Sequence, residues 1–249
     1  MYQPRRYREG LNAERFSFFP SVYRESDLYI GVSPGDYREE MPALCQDEQV
    51  RLYRLMSAYG QQNPLFLTSL EPLMEDGGDR GMAPEIATMI RCGVRTGTGP
   101  MSAVAGLFAS RVAERLHREY RLRELVVENG GDLYIRSIEE LVSVIHAGDS
   151  PLSGKLGLLL PPGTRGVCTS SGTVGHSFSK GKADAVTVVC NDVPLADAWA
   201  TALANGVQGP EDIDRVLERV HTIPEILACV VIAGERMGIR GEFEIKPLS

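Results

Sequence analysis

The chain has 249 residues, 43% of them hydrophobic and 24% charged, the proportions of a globular protein with enough apolar material for a sizeable core. A formal net charge of −7 and a pI near 5.2 argue against nucleic-acid binding, which needs a basic surplus on one face. No apolar run approaches the roughly eighteen residues that span a bilayer, and no apolar stretch follows MYQPRRYREG, so no membrane anchor or signal peptide is expected and the expected location is cytoplasmic.

Arg5, Arg6, Arg8 and Arg15 make the start locally basic, which reads as a solvated arm. RFSFFPSVYRESDLYIGVS is rich in aromatic and β-branched residues and predicts two strands, with Pro20 in the first and Glu25 and Ser26 before the second. From Ala43 to about Tyr59, Leu44, Val50, Leu52, Leu55 and Met56 recur at helical spacing, and Pro64 lies beyond, where a helix cannot easily continue. Two helical segments follow within residues 75–120, the second running from near Pro100 to about Tyr120. Its proline sits at the first helical position, and its alanines and Gly106 mark a face that can approach another backbone closely.

Short β-type runs come next: LRELVVEN, DLYIRS, LVSVIHA, GKLGLLL and RGVCTSS, separated by glycine and proline turns. ADAVTVVC predicts another strand, after which Asp192 caps the helix VPLADAWATALANG, with Asn205 and Gly206 as its stop. A last helix begins at Pro210, and ILACVVIA and GEFEIKPL read as closing strands. Strands cluster and helices come in groups, which predicts an α+β fold with a largely antiparallel sheet packed by helices. No linker divides residues 1–249, so one domain is expected. Cys45, Cys92, Cys168, Cys190 and Cys229 show no Cys-x-x-Cys spacing and are expected to be buried, reduced thiols.

Asp197 and Thr201 stand at i and i+4 and so share a helix face, a candidate oxygen pair for Mg2+ or a phosphate-bound ion. Gly97 and Gly99 in GTGPMS match a dinucleotide fingerprint weakly, because Ser102 replaces the third glycine and no strand precedes them. A helix start after small residues can still receive a phosphate. GHSFS resembles a hydrolase elbow around Ser177, but a strand follows it where that elbow needs a helix, which speaks against a serine hydrolase. His117, His146 and His221 have ordinary structural explanations. His176, in the glycine-punctuated loop TSSGTVGHSFSKGK, is a candidate general base. EDGGD at 75–79 and ENGGD at 128–132 echo one another as glycine turns.

Taken in order, GTGPMSAVAG, ENGGDLY, GVCTSSG, the histidine loop and LADAWATAL resemble the flavin transferases of the ApbE type, across roughly residues 93–206. The resemblance points to an uncharacterised prokaryotic family related to those enzymes, with a T-fold-related α+β domain. It implies Mg2+ held by Asp197 and Thr201, which match the transferases' Ala-Asp-x-x-x-Thr element. It implies an FAD or FMN site at Asn129, Gly130, Gly131 and Asp132, with Ser171 and Gly172 matching a Thr-Ser-Gly element and Gly97 and Gly99 preceding the small-residue helix. His176 falls where the transferases place a histidine that deprotonates the acceptor threonine. Pro100 and Met101 replace the transferases' Ala-Lys-Gly. Two readings follow: transfer of a flavin nucleotide's phosphoester, to a protein acceptor, or its hydrolysis; or a nucleotide-binding or assembly protein that has lost the chemistry. The alanine-rich helices suggest a homo-oligomer.

Overall fold

A computed structural model describes residues 15–74, 81–172 and 181–248. Its core is an eight-stranded sheet in the order β1-β2-β3-β4-β7-β8-β9-β10, antiparallel at every pairing. These strands are β1 Ser17–Tyr23, β2 Ser26–Val32, β3 Leu125–Asn129, β4 Asp132–Ser137, β7 Gly163–Ser170, β8 Ala185–Cys190, β9 Ala228–Ala233 and β10 Arg236–Gly241. A smaller sheet, ordered β11-β6-β5, joins β5 Leu141–Val144, β6 Leu156–Leu160 and β11 Glu244–Pro247. The mixed helix and antiparallel sheet is as the sequence predicts.

Both faces of the large sheet are covered, which explains why β8 and β9 read as unbroken apolar runs: every residue in them is buried. Alternation still sorts the side chains by face. Leu28, Ile30, Val127, Val186, Val188 and Val231 pack among the helices. Val126, Ile135, Val167, Ala185, Val189 and Val230 turn the other way, against Leu158 and Leu160 of the small sheet. The helices are α1 Met41–Gln62, α2 Pro64–Thr68, α3 Pro84–Thr96, α4 Val104–Tyr120, α5 Val193–Ala204 and α6 Ile213–His221. Pro64 opens α2 as its first residue, so the expected stop after α1 is also a new start.

Helix α5 lies at the centre, with ten of its twelve residues buried. Its alanines let it sit close to β7 and β8, and the Asp192 carboxylate accepts from the Leu195 N–H at 2.9 Å as the expected cap. Gly106 of α4 meets α5 so closely that a Cβ there would lie 2.8 Å from the Val193 carbonyl oxygen and 3.0 Å from the Asp197 Cβ. Trp199 is buried in the core, as expected. Its indole N–H donates to Glu225 at 3.2 Å, Arg95 pairs with Glu225 at 2.5 and 2.9 Å, and the guanidinium groups of Arg95 and Arg219 lie 5.9 and 5.6 Å from the ring centre.

Strand β10 is absent from the sequence reading. RMGIRG is an edge strand, at most half-buried along its length, with too few apolar positions to alternate. All five cysteines are buried and free. Among the described residues no helix is long and apolar enough to cross a membrane. EDGGD at 75–79 lies outside the described residues.

At the β1–β2 hairpin, Arg24 takes φ +53° in a two-residue turn. A side chain in this left-handed region is disfavoured by about 1–2 kcal/mol.

Gly106→Ala tests the α4–α5 contact. Ordinarily this change in a helix gains about 1 kcal/mol. Here overlap with Val193 and Asp197 reverses the sign, with an expected loss of about 1–3 kcal/mol in chemical denaturation.

Candidate functional site

The β3–β4 turn builds the first wall of the site. Gly130 and Gly131 have φ +68° and +107°, and two residues of positive φ form the primed hairpin turn whose twist suits antiparallel strands. The Asn129 side-chain amide donates to the Ala105 carbonyl at 3.1 Å, tying the turn to the start of α4. Glu128 accepts from the Gly131 N–H at 3.1 Å. The turn sets Asp132 as the first residue of β4, opposite Cys168 of β7 and facing the helices.

Helix α5 supplies the second wall. Asp197 is buried, its Oδ2 accepting from the Gly106 N–H at 2.8 Å across the α4–α5 contact. Asp132 is buried too, and its Oδ1 has no hydrogen-bond partner among the described residues. Burial pushes the Asp197 carboxyl up to about 7 against the pull of the Gly106 and Ala105 backbone N–H groups. Burial likewise pushes Asp132 well above the usual carboxylate range, with the charges of Asp197 and Glu128 adding to it. Burial and the nearness of the two carboxyls both favour a proton on the pair.

These groups open into a cavity of about 1750 Å³ that runs between α4, α5 and the end of the large sheet, then around the β3–β4 turn onto the sheet's other face. Asp197 and Thr201, one helical turn apart, both line it, as do Asn129, Gly130, Gly131, Asp132, Ser171, Gly97 and Gly99. Gly97 caps α3 with φ +80°, and Gly99 is required because a Cβ there would overlap the Ser69 carbonyl. The glycines of GTGPMS therefore serve the backbone, while the adjoining hydroxyls of Thr98 and Ser102, 2.7 Å apart, also line the cavity.

Gly172 stands off the cavity lining. Its N–H donates to the Ala183 carbonyl at 2.9 Å, and its backbone packs against Gly181, which in turn packs against the Ala204 carbonyl at the end of α5. His176, and with it Ser177, lies outside the described residues, which stop at Gly172 and resume at Gly181. The sequence reading missed the contribution of the β1–β2 hairpin and α1, whose Arg24, Asp27 and Tyr53 also line the cavity. Six carboxylates face it (Glu25, Asp27, Glu71, Glu128, Asp132 and Asp197), and Arg24 is the one arginine or lysine among the described residues that does so.

The antiparallel sheet between helices and a smaller sheet is a fold shared with ApbE proteins. The flavin transferase ApbE from Vibrio cholerae superimposes with a TM-score of 0.57 at 11% identity, over 90% of this chain and 96% of that one. The ApbE protein from Thermotoga maritima gives 0.58 at 12%, over 91% and 97%. Within that fold, the chain belongs to the family described as AbpE bacteria, which it matches over residues 8–223. That match takes in β1, β2 and α1, which precede the motifs starting near residue 93. Relatives include UPF0280 proteins of Methanothermobacter thermautotrophicus, 42% identical over 74% of this chain and 72% of that protein, and of Methanopyrus kandleri, 40% identical over 88% of each.

The buried pair gives the metal-free protein a defined pH dependence. The folded pKa of Asp197, about 7, lies above its ordinary value of 3.8, so the contribution to stability is present at low pH and is lost as pH rises toward and through 7. Asp197→Asn carries no charge at any pH. In chelator, its stability relative to the wild type is expected to rise by on the order of 3 kcal/mol between about pH 4 and about pH 8. A difference that stays flat over this range would mean that the carboxyl does not carry the proton.

Proposed function

We propose that this protein binds a flavin nucleotide, FAD or FMN, in the cavity together with Mg2+, and transfers or hydrolyses its phosphoester. The observation that carries this reading is the meeting of two buried carboxyls, Asp132 and Asp197, at the cavity wall, with an oxygen of Asp132 left unpartnered. Buried charges are paired or coordinate metals. The same reading accounts for the charge of the cavity: among the described residues six carboxylates, set against one arginine, would repel a bare diphosphate, and a divalent ion offsets that repulsion. Support also comes from the family and from a fold shared with proteins described as flavin transferases.

In this reading Asp197 and Thr201 hold the ion, with Asp132 beside them. A bound Mg2+ supplies charge neutralisation and polarisation of the phosphoryl oxygens. The chain's own groups do the rest. The Gly106 N–H fixes the orientation of the Asp197 carboxylate, Gly130 and Gly131 allow close approach to the phosphates, and the hydroxyls of Thr98, Ser102 and Ser171 offer hydrogen bonds along the cavity wall. His176 takes the proton from an attacking hydroxyl, of water or of a protein acceptor, as its oxygen bonds to phosphorus and the nucleoside monophosphate leaves. A cytoplasmic location and a homo-oligomeric state belong to the same proposal.

One observation favours the second reading, a nucleotide-binding or assembly protein without transfer. Pro100 and Met101 form a 3-10 turn before α4, where the transferases carry a lysine. One experiment separates the two. FAD is titrated with and without Mg2+, followed by flavin fluorescence, and the mixture is analysed for FMN and AMP. Binding that needs Mg2+, with FMN and AMP formed, is the expected outcome. Asp197→Ala should abolish the metal-dependent binding while keeping a cooperative unfolding transition, and His176→Ala should keep binding and lose product. Metal-dependent binding without product would leave a binder, and no binding would remove flavin from the reading.

A further inference from the structure

The outer end of the cavity is built from residues that no metal or flavin role uses. Strand β2 leaves its pairing with β3 at Leu28, opposite Asn129, while the β1–β2 ladder continues to Tyr23 and Ser26. The last pair of the β1–β2 ladder lies two residues beyond that of β3–β4, so at about 3.3 Å per residue the hairpin tip overhangs the β3–β4 turn by roughly 7 Å. Arg24 sits at that tip. Its guanidinium lies 4.7 Å from the ring centre of Tyr53 on α1 and 5.8 Å from that of Tyr23, and the two rings meet edge to face at 5.6 Å. All three residues line the cavity.

Three features set this arginine apart. It holds a backbone conformation that glycine would occupy freely, in a turn where glycine is the usual choice. It forms no ion pair with a carboxylate among the described residues, although Glu25 is its chain neighbour. It is also the single arginine or lysine of the described lining. The two tyrosines flank the guanidinium, Tyr23 through a side-chain hydrogen bond as well, and the exposed fork keeps further N–H donors for a phosphate or carboxylate.

We infer that Tyr23, Arg24 and Tyr53 form an anion subsite at the outer end of the cavity that takes a second phosphate or carboxylate group of the nucleotide ligand. The inference rests on the reading of the cavity as a nucleotide site, and it narrows the ligand to one carrying an additional acidic group. FAD and FMN without such a group would leave Arg24 unused.

The test uses the full-length protein in metal-free buffer at constant ionic strength. Inorganic phosphate and, separately, glutarate are titrated while the Arg24 Nε–H and the Tyr23 and Tyr53 ring signals are followed by NMR. Saturable shifts confined to these three residues are expected. A response to phosphate alone would identify the group as a phosphate, and a response to glutarate alone as a carboxylate. Arg24→Gly relieves the turn, so it should fold with an unchanged or higher Tm, lose the anion response, and bind FAD with Mg2+ as the wild type does. Shifts spread evenly over surface arginines, or no response to either anion, would overturn the subsite whatever FAD does. So would an Arg24→Gly variant that loses several degrees of Tm and responds to anions like the wild type, since the cluster would then be structural. A saturable anion response in a protein that fails to bind FAD would keep the subsite and remove the flavin reading.

Discussion

The Gly106 N–H donates to the Asp197 carboxylate across the contact between α4 and α5, and the layout of the site follows from that bond. A carboxylate on a helix buried on nearly all sides needs a donor, and the helix's own backbone is already engaged. The donor comes from the next helix, and it can reach because residue 106 has no side chain to hold the two backbones apart. The start of α4 is tied in turn to the β3–β4 turn through Asn129 and the Ala105 carbonyl. Helix α4, helix α5 and the sheet are thus registered on one another at the place where the acidic groups converge.

The cost of this arrangement is electrostatic. Two carboxyls brought out of water within the same wall disfavour each other's ionisation, and burial disfavours both. A core assembled only for stability would place Leu or Ala at these positions, as it does along the rest of α5. The acidic pair is retained where the fold opens, and the surrounding hydroxyls and glycines leave the wall polar without adding cations. By charge alone, the described lining disfavours a bare anion everywhere except beside Arg24.

Much of this was legible in the sequence. The hydrophobic period fixed α1, α4 and the apolar strands, Asp192 read correctly as a cap, and Asn129-Gly130-Gly131-Asp132 read as a turn because two adjacent glycines free both central φ angles. Asp197 and Thr201 could be placed on one helix face by spacing alone. What spacing could not give was the partner of Asp197. Its approach to Asp132 depends on how α5 lies on β7 and how β7 pairs with β4, both set by contacts between distant parts of the chain. The Arg24 end was hidden for a different reason: its turn lacks the glycine that normally announces one. Strand β10 escaped because an exposed edge needs no apolar alternation.

The pinch at Gly172 and Gly181 limits how this scaffold can diverge. The two glycines pack backbone to backbone, and Gly181 is held in turn against the end of α5. A Cβ at Gly172 would lie 1.9 Å from the Gly181 carbonyl oxygen, and one at Gly181 would lie 1.8 Å from the Ala204 carbonyl oxygen. The exit of β7 and the end of α5 are thus fastened by backbone contact alone, a join that a side chain at either glycine would force open.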